Sequence, residues 1–159
     1  TFGSPHVYSE YFGKQQPAID LAPAIAGTWT LENPGVPGER VVSSCDPSIR
    51  LFTITQPTTE NPLYTMRYVQ GDPTTKTGNV KTEGDLTGTY KDGTFTFAGT
   101  FRETNVDGSN RSFSETTILR LDPQNKNLTG SRRLQPDGDR GSFPLTLVKA
   151  VVNSQDCKK

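Results

Sequence analysis

A chain of 159 residues is the size of one domain and can bury roughly two-thirds of its unfolded surface. Only 31% of it is hydrophobic, yet eight Phe, five Tyr and one Trp gather burial into a few large rings, a balance that suits a thin-walled β-architecture. Seventeen Lys and Arg cancel seventeen Asp and Glu, which argues against a nucleic-acid partner, and no apolar run approaches the roughly 20 residues of a membrane-spanning helix, so no transmembrane segment is expected.

The first stretch, TFGSPHVYSEYFGKQQPAIDLAPAI, carries three prolines and no sustained periodicity. Residues 1–25 therefore read as an extended N-terminal arm, with residues 26–159 as the folded domain. The only histidine, His6, lies in this arm near Tyr8 and Tyr11. It has no nucleophile motif or cysteine cluster beside it, so neither a metal nor any other cofactor is expected.

From Gly27 onward short alternating runs are separated by turn clusters, the pattern of an antiparallel all-β domain. Eight such runs fall near 27–32, 49–56, 63–70, 80–90, 94–103, 112–121, 127–135 and 143–151. Between them stand NPGVPGE, QPTTENP, QGDPTTKTG, KDG, NVDGSN, DPQNK and QPDGDRG, rich in residues that supply a positive or a fixed φ. Asp92-Gly93 is the strongest of these signals, because Asp-Gly suits the two-residue turn whose twist matches its flanking strands. A meander of about eight strands can close on itself and remove both edges, which predicts a single up-and-down antiparallel β-barrel. A two-sheet sandwich is the alternative.

Strand parity says what lies inside. Phe95, Phe97 and Phe101 share one face with Gly99, while Thr94, Thr96, Thr100 and Arg102 share the other; Tyr64, Met66 and Tyr68 oppose Thr65 and Arg67. Gly88, Gly99 and Gly130 interrupt strand patterns, where glycine marks a bend, a bulge or unfilled space. Two readings follow, an interior cavity lined by aromatic rings or a fully packed core.

Cys45 and Cys157 are the only cysteines and lack metal-ligand spacing, so one disulfide closing 157 − 45 = 112 residues is the economical reading. Two free thiols are the alternative. A disulfide would place the chain in an oxidising compartment, secreted or periplasmic. Asn110 and Asn127 open glycosylation tripeptides that matter only in a eukaryotic secretory host.

AGTWTL, opening such a meander at Ala26–Leu31, resembles the Gly-x-Trp start of the lipocalins and the wider calycin superfamily. The resemblance implies that Trp29 closes the barrel floor beneath a basic side chain of the last strand, for which Lys149 is the match. It also implies a tail tethered to the wall, as Cys157 would be to Cys45. Two departures favour a bacterial-type lipocalin-like barrel: no Thr-Asp-Tyr-like second motif is present, and no long helix precedes the final strand. GTWT and DLTGTY also echo motifs of the avidin and streptavidin family. That family builds its pocket from several tryptophans, so the likeness does not carry biotin binding to a chain with one.

No Gly-x-Ser-x-Gly elbow, phosphate loop or His/Cys metal cluster appears. The nearest acid/base candidate is Glu115, which shares a face with Phe113, Leu119 and Leu121; Arg132 lies between Leu128 and Leu134. Either is a buried polar anchor for a ligand, or a register flip at a bulge or rim carries both to water. The leading expectation is a carrier of a small hydrophobic molecule, its ligand bounded by Trp29, Tyr64, Met66, Tyr68, Phe95, Phe97, Phe101 and Arg132. The alternatives are a packed structural barrel that meets a protein partner through its loops or arm, and a barrel isomerase or cyclase using Glu115.

Overall fold

The computed structural model describes residues 22–36, 38–43, 45, 46, 48–71, 80–105, 107–124, 126–135 and 142–153. The sequence readings on His6, Tyr8, Tyr11 and Cys157 lie outside the described residues.

Nine strands and no helix occur among the described residues: β1 Gly27–Leu31, β2 Arg40–Ser43, β3 Arg50–Thr55, β4 Tyr64–Gly71, β5 Val80–Lys91, β6 Thr94–Thr104, β7 Asn110–Asp122, β8 Asn127–Gln135 and β9 Ser142–Asn153. From β3 to β9 each strand pairs antiparallel with the next, and β1 pairs with both β3 and β9. That double pairing closes an eight-stranded antiparallel barrel, consistent with a calycin-like fold, and excludes the two-sheet sandwich. The ninth strand, β2, was not anticipated. It lies outside the barrel and runs parallel to the end of β9, from Arg40↔Ala150 to Ser43↔Asn153. Its run, RVVS, is too short to show alternation, which is why the pattern of the sequence hid it.

The Asp92-Gly93 turn behaves as its chemistry dictates. Asp92 has φ 51° and Gly93 φ 82°, the positive pair of a type I′ hairpin. The β5–β6 register then holds from Lys91↔Thr94 to Thr82↔Glu103. Side chains alternate accordingly: Phe95, Phe97 and Phe101 are buried while Thr96, Ala98, Thr100 and Arg102 face out. On the outer face Arg67 reaches Glu83 at 3.4 Å and Asp85 at 2.9 Å, an exposed network of small energetic weight.

At Gly99 the structure favours a bend over unfilled space. A side chain there would enter no cavity: its Cβ would be driven into the Asp85 carbonyl oxygen and lie 2.8 Å from Leu86 Cα. Gly130 stands in the same relation to the backbone at Ile118. These glycines let neighbouring strands coil tightly around a narrow barrel.

Up-and-down topology gives the barrel two distinct ends. The floor, where β1 enters, carries the β5–β6 and β7–β8 turns; at the mouth β4, β6 and β8 end and β5, β7 and β9 begin. Trp29 is 2% exposed and donates its indole N–H to the Ile25 carbonyl at 2.9 Å. Lys149 Nζ lies 4.6 Å from the Trp29 ring centroid and donates to the Ala26 carbonyl at 2.7 Å. Trp29, Ile25 and Lys149 thus close the floor, in the arrangement the Gly-x-Trp resemblance implies.

Replacing Gly99 with Ala should cost about 1–3 kcal/mol, because the β5 backbone must shift to admit one methyl group. Urea unfolding followed by far-ultraviolet circular dichroism reads this directly; an unchanged midpoint would show that the strands are not so closely apposed.

Candidate functional site

The aromatic residues separate into two groups. Trp29, Tyr64, Met66, Tyr68, Phe95 and Phe97 all belong to one buried core cluster with Phe52, Ile54 and Leu86. Within it Tyr64 meets Phe95 edge-on at 5.3 Å and Phe52 meets Tyr68 at 4.8 Å. Phe101 stands apart and stacks on Phe113, with centroids 4.9 Å apart and planes 13° from parallel.

Phe101 and Arg132 border a cavity of about 240 Å³ at the mouth. Its wall is completed by Gln70, Thr82, Glu103, Arg111, Phe113 and Leu134, contributed by the mouth ends of β4 through β8. Each takes the inward parity of its strand: Gln70 follows Tyr68 by two residues, Thr82 precedes Gly84, Arg111 precedes Phe113 and Leu134 follows Arg132. Gln70, Thr82, Glu103 and Arg111 were not singled out from sequence, because a polar side chain at a strand end gives no sign of whether it faces solvent or the interior; Leu134 was read only as a neighbour of Arg132 on its face.

Glu115 and Arg132 do not turn out to water. Their side chains are 1% and 13% exposed, and Arg132 Nε lies 2.9 Å from Glu115 Oε2. Arg132 Nη2 donates to Glu115 Oε1 at 3.1 Å, and Thr117 Oγ1 donates to Oε2 at 2.5 Å. β7 and β8 place the two side chains on one inner surface, with Glu115↔Leu134 and Thr117↔Arg132 as facing pairs. Glu115, the acid/base candidate, is held by Thr117 and Arg132 and is not among the residues bordering the cavity.

Above the pair, Arg132 lies 4.4 Å from the Tyr68 ring centroid and 5.4 Å from that of Phe101, and Arg111 lies 4.6 Å over Phe113. Tyr68, Arg132, Phe101, Phe113 and Arg111 therefore form a ladder of rings and guanidinium groups along the mouth, each contact adding cation–π or stacking attraction. Tyr68 also donates its hydroxyl to Gln70 Oε1 at 2.9 Å. Burial alone would pull the Arg132 pKa down, but Glu115 and Tyr68 outweigh it and hold the group above the usual arginine value. The guanidinium is charged at any working pH.

Hydrogen bonding in this region is incomplete. Thr82 Oγ1 is buried and finds no partner among the described residues, nor does Arg132 Nε, whose N–H is misaligned with the oxygen 2.9 Å away. An unpaired buried group costs about 1–3 kcal/mol. That cost falls on Thr82, since Arg132 Nε still gains Coulombic attraction from the carboxylate oxygen 2.9 Å away.

Two other depressions lack this chemistry. The larger, about 400 Å³, lies near the floor against Tyr64, Tyr90, Pro57 and Pro62 and has no charged side chain in its wall. Burial raises the Tyr64 pKa there, tempered by its hydrogen bond with Gln56. The other, about 270 Å³, lies on the outer sheet among Arg67, Glu83, Asp85 and Arg102, where these charges pair with one another.

Arg132→Met should destabilise the protein by about 3–5 kcal/mol, because it leaves the Glu115 carboxylate buried without compensation. Glu115→Leu combined with Arg132→Met should recover most of that loss in urea unfolding, and no recovery would mean that the two side chains are not coupled. Comparison of the chain with protein-family models, curated proteins and solved structures finds no match to any of them.

Proposed function

We propose that this chain is a small-molecule-binding barrel whose ligand seats at the mouth, its apolar part against Phe101, Phe113 and Leu134 and its polar end toward Arg132 and Thr82. The observation that carries the reading is the mouth cavity itself, bordered by Phe101, Phe113 and Leu134 and by the buried Thr82, whose hydroxyl lacks a partner among the described residues. Such sites combine apolar walls with a few convergent polar atoms. At about 240 Å³ the cavity suits a ligand of one or two fused rings or a short chain. The lipocalin-like reading belongs to the same proposal and is supported by the closed eight-stranded meander and by Lys149 over Trp29.

Secretion, or residence in a periplasm, is the compartment we propose, and it rests on a disulfide between Cys45 and Cys157. Cys45 follows β2 and donates its amide to Ser43 Oγ at 3.1 Å. Mass spectrometry of non-reduced digests should recover a crosslinked Cys45–Cys157 peptide, and two alkylatable thiols in the native protein would remove the compartment argument.

The binding site is tested with an uncharged naphthylamine dye, whose emission rises in apolar surroundings. One saturable site is expected. Leu134→Trp should fill the cavity and abolish the signal while the protein stays folded, whereas Tyr90→Ala, at the floor depression, should leave binding unchanged. Dye binding that survives Leu134→Trp and is lost with Tyr90→Ala would move the site to the floor, and no binding at all would favour a packed structural barrel.

A further inference from the structure

Resting on the mouth-binding reading, we infer that the site selects uncharged ligands carrying a hydrogen-bond-accepting oxygen, such as a ketone or ester, over carboxylates of the same shape. The inference comes from the charge balance of the wall. Arg132 is neutralised by Glu115 from 2.9 Å with a side chain 1% exposed. Arg111, the cation nearest the apolar stack at 4.6 Å over Phe113, shares the wall with Glu103, its facing residue on β6. No surplus positive charge is left for an anion.

A carboxylate drawn to Arg132 would also stand close to the Glu115 carboxylate, where little water screens their repulsion. It would surrender its own hydration on entering and receive no new counter-charge. A neutral oxygen faces neither cost. What the wall does offer is donor capacity without net charge: the Thr82 hydroxyl, 2% exposed and without a partner among the described residues. Leu134, with what the stacked Phe101 and Phe113 rings leave uncovered, supplies the apolar surface that a hydrocarbon frame would touch.

Three probes of nearly equal shape separate these contributions: 2-acetylnaphthalene, 2-naphthoate and 2-ethylnaphthalene, measured by calorimetric titration at neutral pH, where naphthoate is ionised. In the unsubstituted protein the ketone should bind roughly tenfold tighter than naphthoate, and roughly fivefold or more tighter than the hydrocarbon. Glu115→Gln, which leaves Arg132 with uncompensated charge, should raise naphthoate affinity at least about tenfold and reverse the preference. Thr82→Val removes one donor at nearly constant shape and should weaken the ketone about fivefold while leaving 2-ethylnaphthalene unchanged.

Naphthoate binding as tightly as the ketone to the unsubstituted protein would overturn the selectivity. So would a Thr82→Val variant that weakens all three probes equally, or a folded Glu115→Gln variant with unaltered naphthoate affinity. If Glu115→Gln does not fold, the unsubstituted protein and Thr82→Val decide alone. Binding of the hydrocarbon without any ketone preference would sink this inference and leave the mouth site standing, whereas failure of all three probes to bind would remove both.

Discussion

A barrel exists only if its first strand reaches its last, and here that closure runs through Trp29↔Lys149, Thr30↔Val148 and Leu31↔Leu147. β1 is five residues long and β9 is twelve, so the closing strand cannot cover its partner. β2 takes up the residues beyond the overlap, from Ala150 to Asn153. At the other end of β9, Pro144 pairs across to Ser131 of β8 in a stretch that β1 does not reach. Proline is tolerated there because one flank of the strand has no ladder to supply. The Lys149 ammonium over the Trp29 ring and its bond to the Ala26 carbonyl add side-chain attraction where few backbone bonds hold the seam.

Closure at the floor also decides where a ligand can enter. Ile25, Trp29 and the rings of Tyr64, Phe95 and Phe97 fill the lower barrel with buried side chains, and the coiling permitted by Gly99 and Gly130 keeps the wall too narrow for an additional interior group. Toward the mouth the inward positions change character, from Phe97 and Leu119 to Glu115, Arg132, Thr82 and Gln70. Packing and polarity are thus divided along the axis, apolar side chains filling the lower layers and charged and polar ones gathering in the upper one.

That division explains what the sequence revealed. Alternation and turn chemistry were strong for β3 through β9, where Asp92-Gly93 and the Phe95, Phe97 and Phe101 series each determine a face. Trp29 with Lys149 was legible because the resemblance supplied a geometry that parity alone does not contain. The cavity wall was half legible: Phe101 and Arg132 were read as inward-facing and do border it, but Thr82 and Arg111 sit at strand ends whose polar side chains look alike whether they face solvent or a cavity. Gly99 stayed undecided between coiling and open space because a missing side chain looks the same in either case, and the neighbouring backbone that settles it in favour of coiling is invisible in a sequence.

The Glu115–Arg132 pair is the feature that packing explains least. Replacing a buried ion pair by apolar residues of similar volume is often neutral or stabilising, and a barrel this narrow would accept such residues in its upper layer as readily as in its lower ones. Thr117 and Tyr68 are committed to holding the pair in place, and Arg132 Nε is left without a well-aligned acceptor. Under the proposed function the charged layer beneath the open cavity has a use that stability alone does not give it. Its position at the boundary between the packed floor and the mouth is what recognition of a polar atom on an otherwise apolar ligand requires: donors fixed in direction by the surrounding rings, with their charge cancelled from below.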